Sequence, residues 1–339
     1  MRELSPNAQR QYIDAVATFT AYEEELKVAA QVRGGMYWKN TGYLIRTSAS
    51  GGERSLGPRS SETIEMYERF TERKQASEQR LAGLKTALSE HQRMNRALRV
   101  GRVSPLITAL LGRLKSTALD AHFRVVGTHA LYAYEAEAGV MFDAEAVATR
   151  DIDLLWDAAQ RVQFATALQR VDSSMLGVLK KVDPTFRIRQ SQRYTAVNKD
   201  GFEVDIIRRP PVGGDPHPVR LSADEDDFWV AQAPHANLLL DSPPFSAVIV
   251  ASNGEMARMN TLHPVVFAKF KHWMARLEGR DARKRGRDEL QATAVEAVVH
   301  KYLPQYERDH VAPAIPATDG GLAEVSTGLE ERPRTATRS

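Results

Sequence analysis

Between Leu4 and Arg33, Tyr12, Ala15, Phe19, Tyr22, Leu26 and Ala29 recur at three- and four-residue steps. That spacing predicts an amphipathic helix, stopped by Gly34 and Gly35. A strand-like piece, MYWKNTGYLIRT (36–47), is followed by a loop, SASGGERSLGPRSSE (48–62). Ser60 or Ser61 can cap the next helix, and Glu62 and Glu65 favour its dipole in the first turn. This helix runs from about Thr63 to Leu98 with a dense mixture of Glu, Lys, Arg and Gln. Such a charge mixture predicts a solvent-exposed helix or one arm of a helical hairpin. Gly101 and Pro105 close the N-terminal region.

From Leu106 the pattern changes. An apolar helix (106–120) leads into a short β-branched strand, HFRVVGT (122–128), a helical stretch (130–139) and a second strand, DIDLLWD (151–157). Helices near 160–181 precede three strand-like runs, TFRIRQ (185–190), RYTAVNK (193–199) and GFEVDIIRR (201–209), with Lys199-Asp200-Gly201 as a turn. After Pro210 and Pro211 come loops and short strands (238–254), then helices from His263 to Glu278 and from Ala282 to Tyr302. The final stretch is rich in Pro, Gly, Thr and Ser without periodicity and reads as a disordered tail. The expected organisation is an N-terminal helical region (1–105), a central core (106–210), a C-terminal helical part (211–310) and a tail (311–339). Hairpin-linked strands mixed with helices give an α+β fold, a sheet with helices packed on it.

Composition narrows the chemistry. The chain has 339 residues, 46 Lys and Arg against 43 Asp and Glu, and a formal net charge of +3, too close to neutral to name a partner. The absence of cysteine excludes disulfides, a thiolate zinc site and a Cys nucleophile together. No run approaches the ~18–20 apolar residues of a membrane helix, and MRELSPNAQRQYIDAV does not read as a signal peptide, so a cytoplasmic protein without membrane contact is expected.

The informative residues are carboxylates. Asp151 and Asp153 flank Ile152 on a strand and therefore project from one face. Asp205, between Val204 and Ile206, can join them from a neighbouring strand. Three converging carboxylates repel one another, which divalent cations relieve. An Asp at a strand end can equally be a turn or capping residue, but LLW and VII mark these strands as core, where an unpaired carboxylate is costly. Upstream, Gly127 and Thr128 stand where a strand passes into a helix, either an ordinary turn or a place where backbone N–H groups meet phosphate.

The order G-T (127–128), T-R-D-I-D-L-L (149–155), F-E-V-D-I-I (202–207) resembles the polymerase-β-like nucleotidyltransferase superfamily. Further segments are similar to one bacterial family of nucleotidyltransferase-fold proteins of unassigned substrate. They are W-K…Y-L…S-L-G-P-R-S-S-E-T (38–63), V-G-T-H-A-L-Y-A-Y-E (126–135), D-F-W (227–229), S-P-P-F (242–245) and R-x-x-x-K-x-x-R-D-x-x-Q-A (280–292). The chain departs from the superfamily in two respects: Thr128 replaces a second Gly or Ser, and the segment GVMFDAEAVATR (139–150) lengthens the gap before Asp151.

The resemblance implies a nucleotidyltransferase-type mixed sheet and an NTP substrate, with Gly127 and Thr128 on the triphosphate. It implies two magnesium ions, or manganese in their place, on Asp151, Asp153 and Asp205, with Asp205 also helping to deprotonate the acceptor hydroxyl. Lys269, Trp273, Arg276, Arg280, Lys284 and Arg287 follow helical steps and would form one stripe if Gly279 did not break the helix. The stripe is either a solvated charged face or a grip on triphosphate or nucleic acid, and the resemblance favours Lys269, Arg280, Lys284 and Arg287, with Asp288 orienting a basic neighbour. Ser55 and Arg59, in the Gly-rich loop, are candidates for a phosphate or acceptor contact, and Arg150 either meets phosphate or pairs with an aspartate. Trp38 and Tyr43 read as packing residues and His129 as an interior histidine.

The leading expectation is magnesium-dependent transfer of a nucleoside monophosphate to an acceptor hydroxyl, an RNA end or a protein side chain. Relatives at the fold level include toxin-type and antiviral-defence enzymes, some of which build oligonucleotides without a template. A nucleotide-binding protein without turnover and a metal-dependent nuclease are the competing classes.

Overall fold

The computed structural model describes residues 1–49, 51–213, 215, 217–233 and 235–308; the expected tail lies outside the described residues. The chain divides into two compact units: Ser5–Arg102 with Val250–Met256, and Met1–Leu4 with Val103–Ile249 and the chain from Ala257 on.

After a two-residue strand, β1 (Arg2–Glu3), the first of these units opens with α1 (Pro6–Gln31). Ser5 caps α1 by accepting the Ala8 N–H at 3.2 Å, and Pro6 needs no partner in the first turn. Strands β2 (Gly35–Trp38), β3 (Tyr43–Thr47) and β4 (Glu53–Pro58) form an antiparallel meander. The segment read as one strand-like piece is thus a hairpin, and the expected loop at 48–62 contains a strand. Its Gly and Ser residues concealed the cross-strand pairing of Ser55 with Ile45 and Arg54 with Arg46. The long helix α2 (Ser61–Leu98) begins in a reciprocal capping box of Ser60 and Thr63. Helices α1 and α2 run antiparallel, since Gln11 meets His91 and Asn95 while Glu25 meets Ser77 and Arg80. The seam is more polar than the apolar periodicity of α1 predicts: Gln11 and Glu25 are buried in it, and Leu26 is exposed. Trp38 packs on Tyr67 with ring centroids 6.1 Å apart, whereas Tyr43, expected to pack, is exposed.

The second unit carries the large sheet. Its elements are α3 (Pro105–Ser116), β5 (Phe123–Val126), α4 (Leu131–Ala138), β6 (Val140–Met141), α5 (Ala144–Val147), β7 (Asp151–Trp156), α6 (Arg161–Val171) and α7 (Met175–Lys180). They continue with β8 (Arg187–Arg189), β9 (Gln192–Val197), β10 (Glu203–Arg208), β11 (Ala231–Gln232), α8 (Ala236–Leu240), β12 (Pro244–Val250) and β13 (Met256–Leu262). Helices α9 (Pro264–Arg276), α10 (Ala282–Tyr302) and α11 (Gln305–Arg308) complete the unit.

The sheet order is β12-β13-β5-β7-β10-β9-β8, with β11 also pairing β10. Its centre is mixed: β7 runs antiparallel to β5 and parallel to β10, which runs antiparallel to β9. This is the expected mixed sheet flanked by helices. Pro210, the expected boundary, falls between β10 and β11, which pair in this sheet. Val125, Ile152, Leu154, Val204 and Ile206 are buried from the sheet, packed with Leu110, Leu131, Phe164 and Phe267 of the helices. Strand β13 was not anticipated, because Met256–Leu262 alternates weakly, and the LLL run at 238–240 is helical within α8. Helices α9 and α10 are separate and pack side by side, as the Lys271–Asp288 and His272–Glu289 pairs require. The break at Leu277–Asp281, with Gly279 at φ +81°, rules out the single continuous stripe. Strand β1 pairs antiparallel with β6, and Glu3 accepts from Tyr302 and pairs with Lys301, tying the first residues into this unit.

Candidate active site

Strand β7 buries Ile152 and Leu154 in the core, so the period-two alternation turns Asp151 and Asp153 to the opposite face. On β10 the alternation buries Val204 and Ile206 and leaves Asp205 on that same face. The parallel register sets Asp205 directly beside Asp153. One carboxylate oxygen from each of Asp151, Asp153 and Asp205 lies within 4.8 Å of the others, so the triad can bind a metal ion. Burial first, and then the charges of Asp151 and Asp205, push the Asp153 carboxyl up to about 7. Burial also raises the Asp205 carboxyl, opposed by the Thr195 hydroxyl, which donates to Asp205 Oδ1 at 2.5 Å. The Thr149 hydroxyl donates to Asp151. Neither threonine could be identified from the sequence, since both act through positions fixed by the sheet and its entry loop.

Gly127 follows β5 at φ +69°, a region that favours glycine. A Cβ there would overlap Asp153 Oδ2. Gly127→Ala is therefore expected to lower stability by about 1–2 kcal/mol from backbone strain alone. It should displace Asp153 as well, so thermal melting and activity should fall together; an alanine variant that matches the parent in both would contradict the close approach.

Gly127, Asp153, Lys271, Arg280 and Lys284 share a cavity of about 500 Å³. Lys271 Nζ donates to Asp288 Oδ1 at 2.8 Å and Arg280 Nε to Oδ2 at 2.5 Å, so each oxygen of a carboxylate that is 1% exposed holds one cation. Burial pulls the Lys271 ammonium below its ordinary range, against the attraction of Asp288. Lys271 and Arg287 both lower the Asp153 carboxyl electrostatically.

The remaining candidates are distributed as follows. Thr128 is buried, and its hydroxyl oxygen accepts from Gln291 Nε2 at 3.1 Å; the same amide donates to the Ala146 carbonyl at 2.7 Å. The inserted segment is thereby fastened to the helix that carries Arg280's partner. Lys269 is exposed and does not line the cavity; Lys271, two residues on in KFKHW, does. Arg150 is exposed, and its carbonyl accepts the Glu203 N–H at 2.9 Å. Ser55 and Arg59 belong to the other unit, where Arg59 lies over the Trp38 ring at 5.4 Å. His129 is buried between Tyr132 and Phe202 with its pKa pushed down to about 4 by burial, which keeps it neutral. Sequence reasoning passed over Lys271, with which two basic neighbours compete in the local pattern, and it gave no role to Gln291, although that glutamine belongs to the 280–292 motif.

The mixed sheet thus gathers on one face three carboxylates that could hold a metal ion, and one of them, Asp153, lines a cavity that Lys271, Arg280 and Lys284 also line. A family model described as nucleotidyltransferase matches residues 106–316, more than half of the chain, and the chain belongs to that family. No curated protein and no solved structure matches it. The family implies an NTP substrate and a transferase activity. Among the described residues no helix is long and apolar enough to cross a membrane.

Proposed function

We propose that the protein transfers a nucleoside monophosphate from an NTP to an acceptor hydroxyl on an RNA end or a protein side chain. The observation that carries this reading is the triad on β7 and β10 beside a cavity lined by Gly127, Lys271, Arg280 and Lys284. The acceptor oxygen bonds to the α-phosphorus, the bond from that phosphorus to the β-phosphate bridge breaks, and pyrophosphate leaves. The acceptor proton passes to Asp205, whose carboxyl is raised by burial. Lys271, Arg280, Lys284 and Arg287 neutralise the departing pyrophosphate, and Gly127 admits the triphosphate close to the backbone. Asp151, Asp153 and Asp205 fit two divalent cations, magnesium or manganese, because hard carboxylate oxygens that repel one another gain from them. Bound there, the cations would supply charge neutralisation and a more acidic acceptor hydroxyl.

The four-part division of the chain extends this reading, with the N-terminal region and its Ser55 and Arg59 serving the acceptor. A place among toxin-type or antiviral-defence enzymes, including template-independent oligonucleotide synthesis, rests on resemblance alone.

The test is incubation with each α-labelled NTP and magnesium, with total RNA and the protein itself as acceptors. Labelled acceptor and an equal amount of pyrophosphate are expected, both absent in Asp205→Asn. Nucleotide binding without pyrophosphate would leave a binding protein, and shortened RNA a nuclease.

A further inference from the structure

The cavity that takes the triphosphate is mostly apolar. Besides the residues around Asp153 and the cations, its walls include Ile207, Leu239, Phe270, Trp273, Met274 and Leu277. A polyphosphate gains nothing from such walls, because apolar surface offers it no hydrogen bonds and its hydration is lost against them. The apolar portion matches a nucleoside, and a volume of about 500 Å³ is in the range of small-ligand sites.

The chemistry of the lining restricts how a base could be held. Among the described lining residues the polar side chains are Asp153, Lys271, Arg280, Asp281, Lys284 and the Trp273 indole. Lys271 and Arg280 are engaged with Asp288, and Asp281 caps α10 by accepting the Arg283 and Lys284 N–H groups. Among the described residues the lining carries no Ser, Thr, Asn or Gln whose hydroxyl or amide could read the donors and acceptors on a base edge. Trp273 is fixed in place: its ring meets His235 edge-on at 4.4 Å and Phe270 at 5.6 Å with 36° between planes. It is 9% exposed. A fixed aromatic wall favours stacking at little ordering cost.

We infer that the cavity is a nucleoside subsite that holds the base by stacking on Trp273 and Phe270 and by apolar burial, without reading its edge. The protein accordingly takes purine nucleoside triphosphates in preference to pyrimidine ones, and does not distinguish adenine from guanine. This inference rests on the nucleotidyl-transfer reading and specifies its substrate class.

The test is calorimetric titration, with magnesium, of inorganic triphosphate and of non-hydrolysable α,β-methylene analogues of ATP, GTP, CTP and UTP. The full-length protein is compared with Trp273→Ala and Trp273→Phe. The two purine analogues should bind within about 5-fold of each other, more tightly than the pyrimidine analogues, and at least about 10-fold more tightly than triphosphate. Trp273→Ala should weaken the purine analogues about 10-fold while leaving triphosphate unchanged, and Trp273→Phe should restore most of the loss. A purine-to-purine difference above 5-fold, pyrimidines equal to purines, or an unchanged nucleotide-to-triphosphate ratio in both variants would overturn the subsite while leaving nucleotidyl transfer standing. If neither triphosphate nor any analogue binds the unaltered protein, the transfer reading fails and takes this inference with it.

Discussion

Asp153→Asn will abolish nucleotide transfer and at the same time stabilise the cation-free protein above neutral pH. The loss of activity should be on the order of 1,000-fold or more, as expected when a charge that organises phosphoryl transfer is removed. The gain in stability follows from the same geometry. Asp153 is crowded by Asp151 and Asp205 and half-buried, and burial together with those charges pushes its folded carboxyl up to about 7. An unfolded aspartate titrates near 3.9, so between these values the folded chain binds the extra proton. The stability this proton contributes is complete below about pH 4 and is lost as pH rises through about 7. The full span corresponds to up to ~4 kcal/mol for an isolated group, shared here among three coupled carboxylates. Thermal melting in EDTA should therefore fall from pH 5 to pH 8 in the parent, and fall much less in Asp153→Asn. At pH 8 the variant should melt about 3 °C higher or more. Added magnesium should raise the melting temperature of the parent and not that of the variant. A variant that melts lower than the parent in EDTA at pH 8 would mean that the three carboxylates do not strain one another.

Asp288→Ala is the second substitution with a large effect, and here the sign is reversed. Asp288 is buried and divides its two oxygens between Lys271 and Arg280. Without it two cations face each other with no counter-charge in a site largely closed to water. Breaking a buried pair by removing one partner costs about 3–5 kcal/mol. Urea unfolding should show a loss of that size, reduced by more than about 1 kcal/mol when Lys271→Met is added, because one stranded charge is then gone. Asp288→Asn keeps the shape and should fall between. Asp288 is 1% exposed and holds Lys271 and Arg280, so on the proposed nucleotide-binding reading its loss in a still-folded variant should raise KM for the NTP about 10-fold and change kcat less. An unchanged unfolding midpoint in Asp288→Ala would show that Lys271 and Arg280 are solvated.

The two substitutions differ because of how each group is partnered. Asp153 sits among like charges and is relieved by neutralisation; Asp288 is the counter-charge on which others depend. Residue type alone gives no hint of this difference. Both are aspartates in amphipathic segments, and only their neighbours decide whether removing the charge helps or harms the fold.

What the chain reveals in one dimension is set by short-range rules. Alternation in DID and EVDI already places Asp151 and Asp153 on the face opposite Ile152, and Asp205 on the face opposite Val204 and Ile206, because successive residues of a strand point to opposite faces. Gly127 before a helix, Ser60 ahead of a helix and Gly279 between two basic stretches are equally local, since a positive φ or an orphan N–H is a property of one turn. Membership in the nucleotidyltransferase family was legible from the order of these motifs. By contrast, the strand in SGGERSLGP has no apolar alternation and exists through its pairing with β3. The polar seam of α1 and α2 is stable because Gln11, His91 and Asn95 satisfy one another across about 80 residues of chain, as the Gln11–His91 separation of 80 shows.

The sequence by itself determined which acids could form the site, the type of fold that carries them and the family to which the chain belongs. The tertiary structure decided the parallel register that sets Asp205 beside Asp153, the choice of Lys271 as a cavity cation, and the role of Asp288 between two charges. The reason is physical: backbone periodicity acts over a few residues and can be read along the chain. Electrostatic partnership, by contrast, depends on distances in space between residues such as Lys271 and Asp288 or Thr128 and Gln291, and no local pattern encodes those distances.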